Sequence, residues 1–290
     1  MTTTMNRLPV STWNPLGVNY APASAALPTV PADGWAKAET LSPALPAGVT
    51  APAEADFTDF AASGMGAEAD AWLAENANLV NHLAVTGTAD APVVFENTLD
   101  ADHPHALTCL TIDAAEGSSL TVVQVVRGDA EDGVSANLTR IRAAENAHVT
   151  LVQVQLLGNH ARRWNAVAIE ESTSARVEQV RIELGGAVVA CGTRTLLNHN
   201  KCEYDLDAVY FGHGEDVLDF NDVSVHTGKD TLCEMHTAGV LTGHADKILR
   251  GTVDFQRGAK RGVGHESEDV LLFSPNARNR TAPLILCGEE

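Results

Sequence analysis

Three segments of the chain resemble one another and recur at a nearly constant spacing. Each alternates aliphatic with polar side chains, which is typical of a β-strand with one buried face. They are residues 119–126, 148–155 and 176–183. Aligned on their first aliphatic positions, they lie 29 and 28 residues apart, and the aligned residues are Leu120, Val149 and Val177. This spacing is too long for a hairpin repeat and matches one coil of a solenoid.

A fourth segment extends the repeat. Residues 201–210 place Cys202 at the aligned position, 25 residues after Val177. The glycine- and asparagine-containing turns between the segments are too short for crossover helices. We therefore favour a mainly β solenoid whose strands stack in parallel. An antiparallel sandwich or barrel, whose strands also recur at short intervals, is the alternative.

The first part of the chain has a different composition. Residues 1–52 contain eight of the twelve prolines, and proline disfavours helix at its own position and at the one before it. We expect an extended N-terminal segment that runs over a surface, with Trp13, Leu16 and Val18 as local anchors.

A short helical region is predicted at residues 53–88, between the proline-rich segment and a β-helix core at residues 89–290. One helix is predicted to begin at Asp56 or Thr58, and a second to span residues 67–83, where large apolar residues recur at helical spacing. In the core, the alternation also predicts strands at residues 92–99 and 105–113.

The charge of the chain excludes some classes of function. With 38 acidic and 19 basic residues the formal net charge is −19, which argues against nucleic acid and anionic membranes as partners. No apolar run reaches the roughly 18 residues of a membrane span, and the N-terminus does not resemble a signal peptide. We predict a cytoplasmic protein.

Potential metal ligands are concentrated late in the chain. His226, Cys233, His236 and His265 are weak candidates for a metal site, because imidazole and thiolate bind zinc, iron and iron–sulfur clusters. On a regular strand, Cys233 and His236 point to opposite faces, which argues against a metal shared by these two residues. The chain lacks the G-x-S-x-G, P-loop, G-x-G-x-x-G and H-E-x-x-H motifs, and we predict no catalytic residue.

Two sets of charged residues can be interpreted either as ordinary solvated surface or as functional sites. Seven basic residues after position 240 are interpreted as a solvated outer face, with a docking patch as the alternative. They are Lys247, Arg250, Arg257, Lys260, Arg261, Arg278 and Arg280. Asp216, Asp219 and Asp222 are interpreted as a solvated turn, with a Ca²⁺ site as the alternative.

The late part of the chain resembles a known family. The segments that carry the resemblance are residues 219–231 (DFNDVSVHTGKDT), 238–255 (AGVLTGHADKILRGTVDF), 271–274 (LLFS) and 282–290 (APLILCGEE). They occur in the order found in the SufB/SufD family of iron–sulfur cluster assembly proteins, on the SufD side. Residues 12–19 (TWNPLGVN) are similar to an opening motif of some members.

The resemblance implies a right-handed parallel β-helix that serves as a scaffold rather than as an enzyme. It implies pairing with a SufB-like subunit or with an identical subunit, and work with a SufC-type ATPase while SufE or SufU and a SufS desulfurase supply sulfur. No cofactor is expected to bind firmly to this chain alone. A transient iron–sulfur cluster is expected in the assembled complex.

Two departures from the family pattern bear on the site. In the family, the segment that ends here at Glu290 is normally followed by a His-Gly-Ala-type motif and a C-terminal helical domain that docks the ATPase. We expect that docking segment to be absent from this chain and the last coil to be uncapped. SufB-type members also carry a ligand cysteine at the position aligned with Glu268, so the resemblance transfers no cluster ligand.

Two other classes of function remain as alternatives. A β-helix enzyme acting on polysaccharide would need paired carboxylates, or Ca²⁺ with a basic residue, in an open groove. A cupin-like metal-binding β protein is the other alternative, motivated by the eleven histidines.

Overall fold

The computed structural model describes residues 4–12, 14–29, 40–41, 44–57 and 59–288, with only the backbone of residues 40–41. Two residues singled out in the sequence analysis lie outside the described residues. They are the predicted anchor Trp13 and the predicted helix start Thr58.

The N-terminal part contains little regular structure. Two 3-10 turns lie at Asn14–Leu16 and Ala23–Ala25, and two short strands lie at Thr40–Leu41 (β1) and Val49–Thr50 (β2). The helix α1 spans Ala67–Asn76.

Fifteen longer strands follow in the described residues. They are β3 (Leu79–Val85), β4 (Val93–Leu99), β5 (His105–Ala114), β6 (Ser119–Gly128), β7 (Val134–Ala143), β8 (His148–Leu157), β9 (Arg162–Glu171), β10 (Arg176–Leu184), β11 (Val188–Leu197), β12 (Glu203–Gly212), β13 (Val217–His226), β14 (Leu232–Leu241), β15 (Asp246–Phe255), β16 (Val263–Leu272) and β17 (Arg278–Cys287).

Consecutive strands alternate between two sheets. The even-numbered strands β4 to β16 form one sheet and the odd-numbered strands β3 to β17 form the other, here called the even sheet and the odd sheet. Within each sheet every strand pairs in parallel with the strand two places along the chain. β1 and β2 add antiparallel partners at the β4 and β3 edges. Each coil therefore contains two strands, and the solenoid has about seven turns.

This architecture confirms the predicted mainly β, parallel solenoid with a short N-terminal helical region, and it excludes the antiparallel sandwich and the cupin-like barrel. The hand of the coil stays a prediction. No helix in the described ranges is long and apolar enough to span a membrane.

The register confirms most of the predicted repeat and corrects one position. Leu120 pairs with Val149, and Val149 pairs with Val177, as aligned from the sequence. The next partner is Tyr204 rather than Cys202. Cys202 precedes β12, and its thiol lies 3.1 Å from the carbonyl oxygens of two earlier turn residues. The fourth segment therefore starts later than predicted, because a longer turn precedes it.

The helical prediction is wrong in two respects. The described residues around Asp56 form no helix. Here Phe57 instead stacks under the guanidinium of Arg142, 4.7 Å from the ring centroid, so tertiary contact fixes this segment. The second helix ends at Asn76, and the remainder of the predicted span is β3, which pairs in parallel with β5. The division at residues 52 and 88 stays a prediction.

The N-terminal segment lies over the outer face of the odd sheet. We call residues 4–12 and 14–29 the strap. The amide of Asn6 donates to the carboxylate of Asp219 at 2.6 Å, and the indole of Trp164 donates to the carbonyl of Ala25 at 2.9 Å. The strap therefore lies on a surface of the sheet, and the odd strands from β7 to β15 are largely buried on both faces.

Candidate functional site

The interior of the solenoid changes from apolar to polar along its length. In the middle coils, buried amide side chains bond to one another between strands. Gln153 donates to Gln124 at 2.8 Å, and Gln179 donates to Gln153 at 3.0 Å. Asn165 on the odd sheet exchanges two further bonds with Gln153, each of 3.0 Å. This amide ladder occupies space that would otherwise hold apolar side chains, and because its members bond to one another it is compatible with burial.

The next coil contains a buried ion pair. Both guanidinium nitrogens of Arg181 bond to the carboxylate of Asp222 at 2.8 Å, and neither side chain is more than 3% exposed. Burial alone would lower the pKa of Arg181, but the charge of Asp222 more than offsets burial and raises that pKa. The pair is bidentate, which is the strong geometry for arginine and a carboxylate.

A second buried pair adjoins a cysteine. Arg163 and Glu183 approach to 3.7 Å, and the thiol of Cys191 lies 3.4 Å from the Glu183 carboxylate. Burial, together with this carboxylate, raises the pKa of the Cys191 thiol well above its usual value. The thiol therefore stays protonated at neutral pH and is a poor nucleophile or metal ligand.

A third set of buried charged side chains surrounds Lys247, near β16 and β17. Its ammonium contacts the Glu268 carboxylate and lies 5.3 Å from the centre of the Tyr210 ring. The Lys247 side chain is fully buried, and burial lowers its pKa to about 7. Burial also raises the pKa of the neighbouring Glu266 to about 7. Lys247 and Glu266 therefore both have pKa values close to neutral pH.

The four candidate metal ligands lie in separate places. His226 is fully buried on the odd sheet, with its two ring nitrogens 3.0 Å from the Ser224 hydroxyl and 2.8 Å from the Thr231 hydroxyl. Burial lowers its pKa to about 4. The side chain is neutral, and both of its nitrogens are used to hold the turn after β13.

The other three candidates lie on β14 and β16. Cys233 faces the interior, where burial raises its pKa to about 12. His236 faces outward, 3.1 Å from Asp269, so the prediction that Cys233 and His236 point to opposite faces is confirmed. His265 is exposed beside Glu234, at 3.4 Å. Within the described residues, no group of three His, Cys, Asp or Glu side chains is arranged to hold a metal ion. A metal role for these four residues stays a prediction.

The structure corrects the interpretation of both charged groups. Lys247 and Arg250 are fully buried, so neither belongs to a solvated face or to a docking patch. Asp219 and Asp222 are also buried, on opposite faces of the odd sheet, and each is paired with an arginine. They form no Ca²⁺ site and no solvated turn. Sequence reasoning missed these pairs because the partners are 31 and 41 residues apart.

The buried arginines and thiols described above are held inside the solenoid rather than presented to an open cleft. Each buried guanidinium has a carboxylate partner, and the buried cysteines keep their protons. Iron–sulfur clusters are held by thiolates, and burial withholds the thiolate form from Cys191, Cys202 and Cys233, raising the pKa to about 12 in the last two. These features define a two-sheet parallel β-solenoid in which the buried polar side chains stabilise the fold.

Comparison with known proteins identifies the family. The family model described as "SUF system FeS cluster assembly, SufBD core domain" matches residues 97–290, and the chain therefore belongs to the SufB/SufD family. It is also similar to the "Iron-sulfur cluster assembly protein SufD" of Bacillus subtilis (strain 168), with 25% identity over 217 residues. This alignment covers 72% of the chain and 48% of that protein, so the chain spans about half the length of the relative. The SufD-like resemblance is confirmed, and it supports a role in iron–sulfur cluster assembly.

Proposed function

We propose that this chain is a scaffold subunit of a Suf-type iron–sulfur cluster assembly complex. In this proposal it pairs with a SufB-like subunit or with an identical subunit, works with a SufC-type ATPase, and resides in the cytoplasm. The observation that carries the proposal is the family match over residues 97–290, a range that includes the long strands from β5 onward.

The geometry of the interior supports a scaffold without catalysis of its own. The buried arginines are held in pairs with carboxylates, such as Arg181 with Asp222, and a group committed to a buried pair is not available to a substrate. In the proposal this chain alone holds no cluster firmly, and the raised pKa of buried thiols such as Cys191 and Cys233 supports this. In the proposal, a cluster is the cargo of the assembled complex, present transiently.

Co-purification with the partners tests the proposal. The chain is expressed alone and together with the SufB-like subunit and the SufC-type ATPase of the same genome, and each sample is analysed by size-exclusion chromatography with light scattering. We expect a homodimer when the chain is alone and a mixed complex when the SufB-like subunit is present. An unrelated β-solenoid protein of similar negative charge is the control for electrostatic association.

Two results would contradict the proposal. One is a chain that stays monomeric alone and binds neither partner. The other is a chain that binds the partners no better than the control protein does. Binding of the ATPase is scored separately from pairing, because the chain spans about half the length of its SufD relative.

A further inference from the structure

The two outer faces of the solenoid differ in what covers them. The strap and α1 cover the odd sheet, whereas large apolar side chains are exposed on the even sheet. We call the apolar residues at the ends of β8, β10, β12, β14 and β16 the apolar lane. They are Val154, Leu156, Ile182, Leu184, Val209, Phe211, Ala238, Val240 and Leu271. Leu156 is 45% exposed, Val209 44% and Leu271 60%. A contiguous apolar surface with this exposure is unusual for a protein without a binding partner.

The apolar lane runs across the strands rather than along one of them. Leu184 pairs with Phe211, Phe211 with Val240, and Val240 with Leu271. Neighbouring strands lie about 4.8 Å apart, so five strands span about 19 Å. An α-helix rises about 1.5 Å per residue, so a helix of about 13 residues has this length.

An acidic groove runs beside the apolar lane on the same face. Glu178, Asp205 and Glu234 are in register on β10, β12 and β14. Asp207 lies two residues after Asp205, on the same face of β12. The groove has a volume of about 480 Å³, and its charged lining consists of these four carboxylates with Arg176 and His236. Arg176 pairs with Glu178 and Asp205 at 2.8 and 2.7 Å, which leaves Asp207 and Glu234, 74% and 58% exposed, without an arginine or lysine partner among the described ion pairs. The groove therefore has an excess of negative charge.

We propose that the outer face of the even sheet binds an amphipathic α-helix of a protein partner, with an apolar stripe for the lane and lysine or arginine along one flank for the acidic groove. The apolar stripe is buried against the aliphatic side chains, and the basic flank neutralises exposed carboxylates such as Asp207 and Glu234. The chain contains a precedent, because α1 packs Ala69 and Leu73 against the odd sheet in the same way.

The charge pattern argues against a second copy of this chain as the occupant. Two identical faces in contact would either oppose the two acidic grooves or stack lane on lane with the grooves on opposite flanks. The first arrangement brings like charges together, and the second provides no basic flank for either groove. The proposal goes beyond the proposed function, since it assigns a face of the solenoid and the chemistry of its partner rather than a role in cluster assembly.

A model peptide tests the apolar part of the proposal. The probe is a fluorescein-labelled 14-residue peptide of leucine and lysine with leucines at helical spacing, and the control peptide has the same composition in scrambled order. Binding to the full chain is measured by fluorescence anisotropy at physiological salt. We expect the amphipathic peptide to bind at least about tenfold more tightly than the scrambled peptide.

Substitutions locate the site. The double variant Val209→Lys with Phe211→Lys should bind the amphipathic peptide about tenfold more weakly, because it adds positive charge and removes apolar contact. Both side chains are exposed, so folding should be preserved, which circular dichroism checks. Val80→Lys is the matched control, since Val80 is 53% exposed on β3 of the odd sheet, and it should leave the affinity unchanged.

A charge-neutralising variant tests the acidic groove. Asp207→Asn with Glu234→Gln should weaken binding and flatten its dependence on salt, whereas Asp90→Asn on an exposed loop should change neither. The proposal is overturned if the scrambled peptide binds equally well, or if the lane and groove variants bind like their controls. It is also overturned if light scattering reveals a dimer that the Val209 and Phe211 substitutions dissociate, since a second copy would then be the occupant.

Discussion

Asp219 and Arg250 form an ion pair beneath the strap, and the surroundings of this pair determine its energetic role. Two bonds of 3.0 Å join them, and neither side chain is exposed. Arg250 also donates to the carbonyl of Val18 at 2.5 Å, and Asn6 donates to Asp219 at 2.6 Å. Removing one partner from a buried pair leaves an uncompensated charge, which lowers the free energy of unfolding more than the loss of an exposed pair does.

We expect Asp219→Ala to lower the free energy of unfolding by about 3–5 kcal/mol, because Arg250 would remain buried without its carboxylate. Urea denaturation followed by circular dichroism measures the change. Asp230→Asn is the control, since Asp230 pairs with Arg261 in an exposed turn and asparagine tolerates its positive φ of 58°, and it should change stability little. Equal effects of the two substitutions would contradict this account.

His226 makes stability depend on pH. Its pKa is about 4 in the folded chain because of burial, and about 6.5 in an unfolded chain. The unfolded state therefore binds more protons between these values, and stability is lost as the pH falls from about 6.5 towards 4, by up to about 3 kcal/mol. Unfolding free energies measured from pH 7 to pH 4.5 should decline less steeply in His226→Gln than in the parent.

His265→Gln is the control for this measurement, because the His265 side chain is 70% exposed. Its pH profile should follow that of the parent chain. A His226→Gln profile as steep as the parent's would show that other groups carry the pH dependence.

For individual side chains, the sequence predicted which face of a strand they lie on better than which residues they pair with. The alternating faces of Cys233 and His236 follow from the two-residue period of a strand and are confirmed. The partners of Asp219, Asp222 and Lys247 were not predictable, because register between coils and contact across the interior decide them. Local sequence carries no direct signal of either.

The strands of the even sheet were more visible in the sequence than those of the odd sheet. Even strands have one buried and one exposed face, so their polarity alternates, as in β10. The odd strands from β7 to β15 are largely buried on both faces, and β9 and β15 each have seven consecutive buried residues. Polar residues such as Asn165 and Asp222 point inward there, which removes the period-2 pattern that predicts strands.

Gly64 controls how closely the segment before α1 approaches the odd sheet. Asn221 donates to its carbonyl at 2.7 Å, and a β-carbon at Gly64 would lie 2.5 Å from the backbone nitrogen of Thr193. Gly64→Ala should therefore destabilise the chain by about 1–3 kcal/mol, since backbone rather than a flexible side chain must move. Thermal or urea unfolding measures this loss.

Gly87→Ala is the matched control for Gly64→Ala. A β-carbon at Gly87 would have no neighbour within 4 Å, so this substitution should be tolerated. If both alanine variants are equally stable, the close approach at Gly64 is not what fixes the segment to the sheet.

The net charge of −19 acts on the molecule as a whole. Like charges repel more strongly in the compact state, and salt screens this repulsion over a Debye length of about 10 Å at 0.1 M. We expect the melting temperature to rise by a few degrees when sodium chloride increases from about 20 mM to about 300 mM. The rise should vanish near pH 4.8, the pI of the chain, and a fall in melting temperature at neutral pH would contradict the expectation.

Contacts of the strap set an order on biosynthesis. Asn6 bonds to Asp219, Val18 to Arg250 and Leu16 to Arg280, so the strap residues reach their final positions only after the later coils have been made. At about 5–20 residues per second, that delay is on the order of tens of seconds. The early coils stack while the odd sheet is still uncovered, and a nascent chain is therefore exposed to chaperones and to aggregation on that face until the strands that hold Asp219, Arg250 and Arg280 have been made.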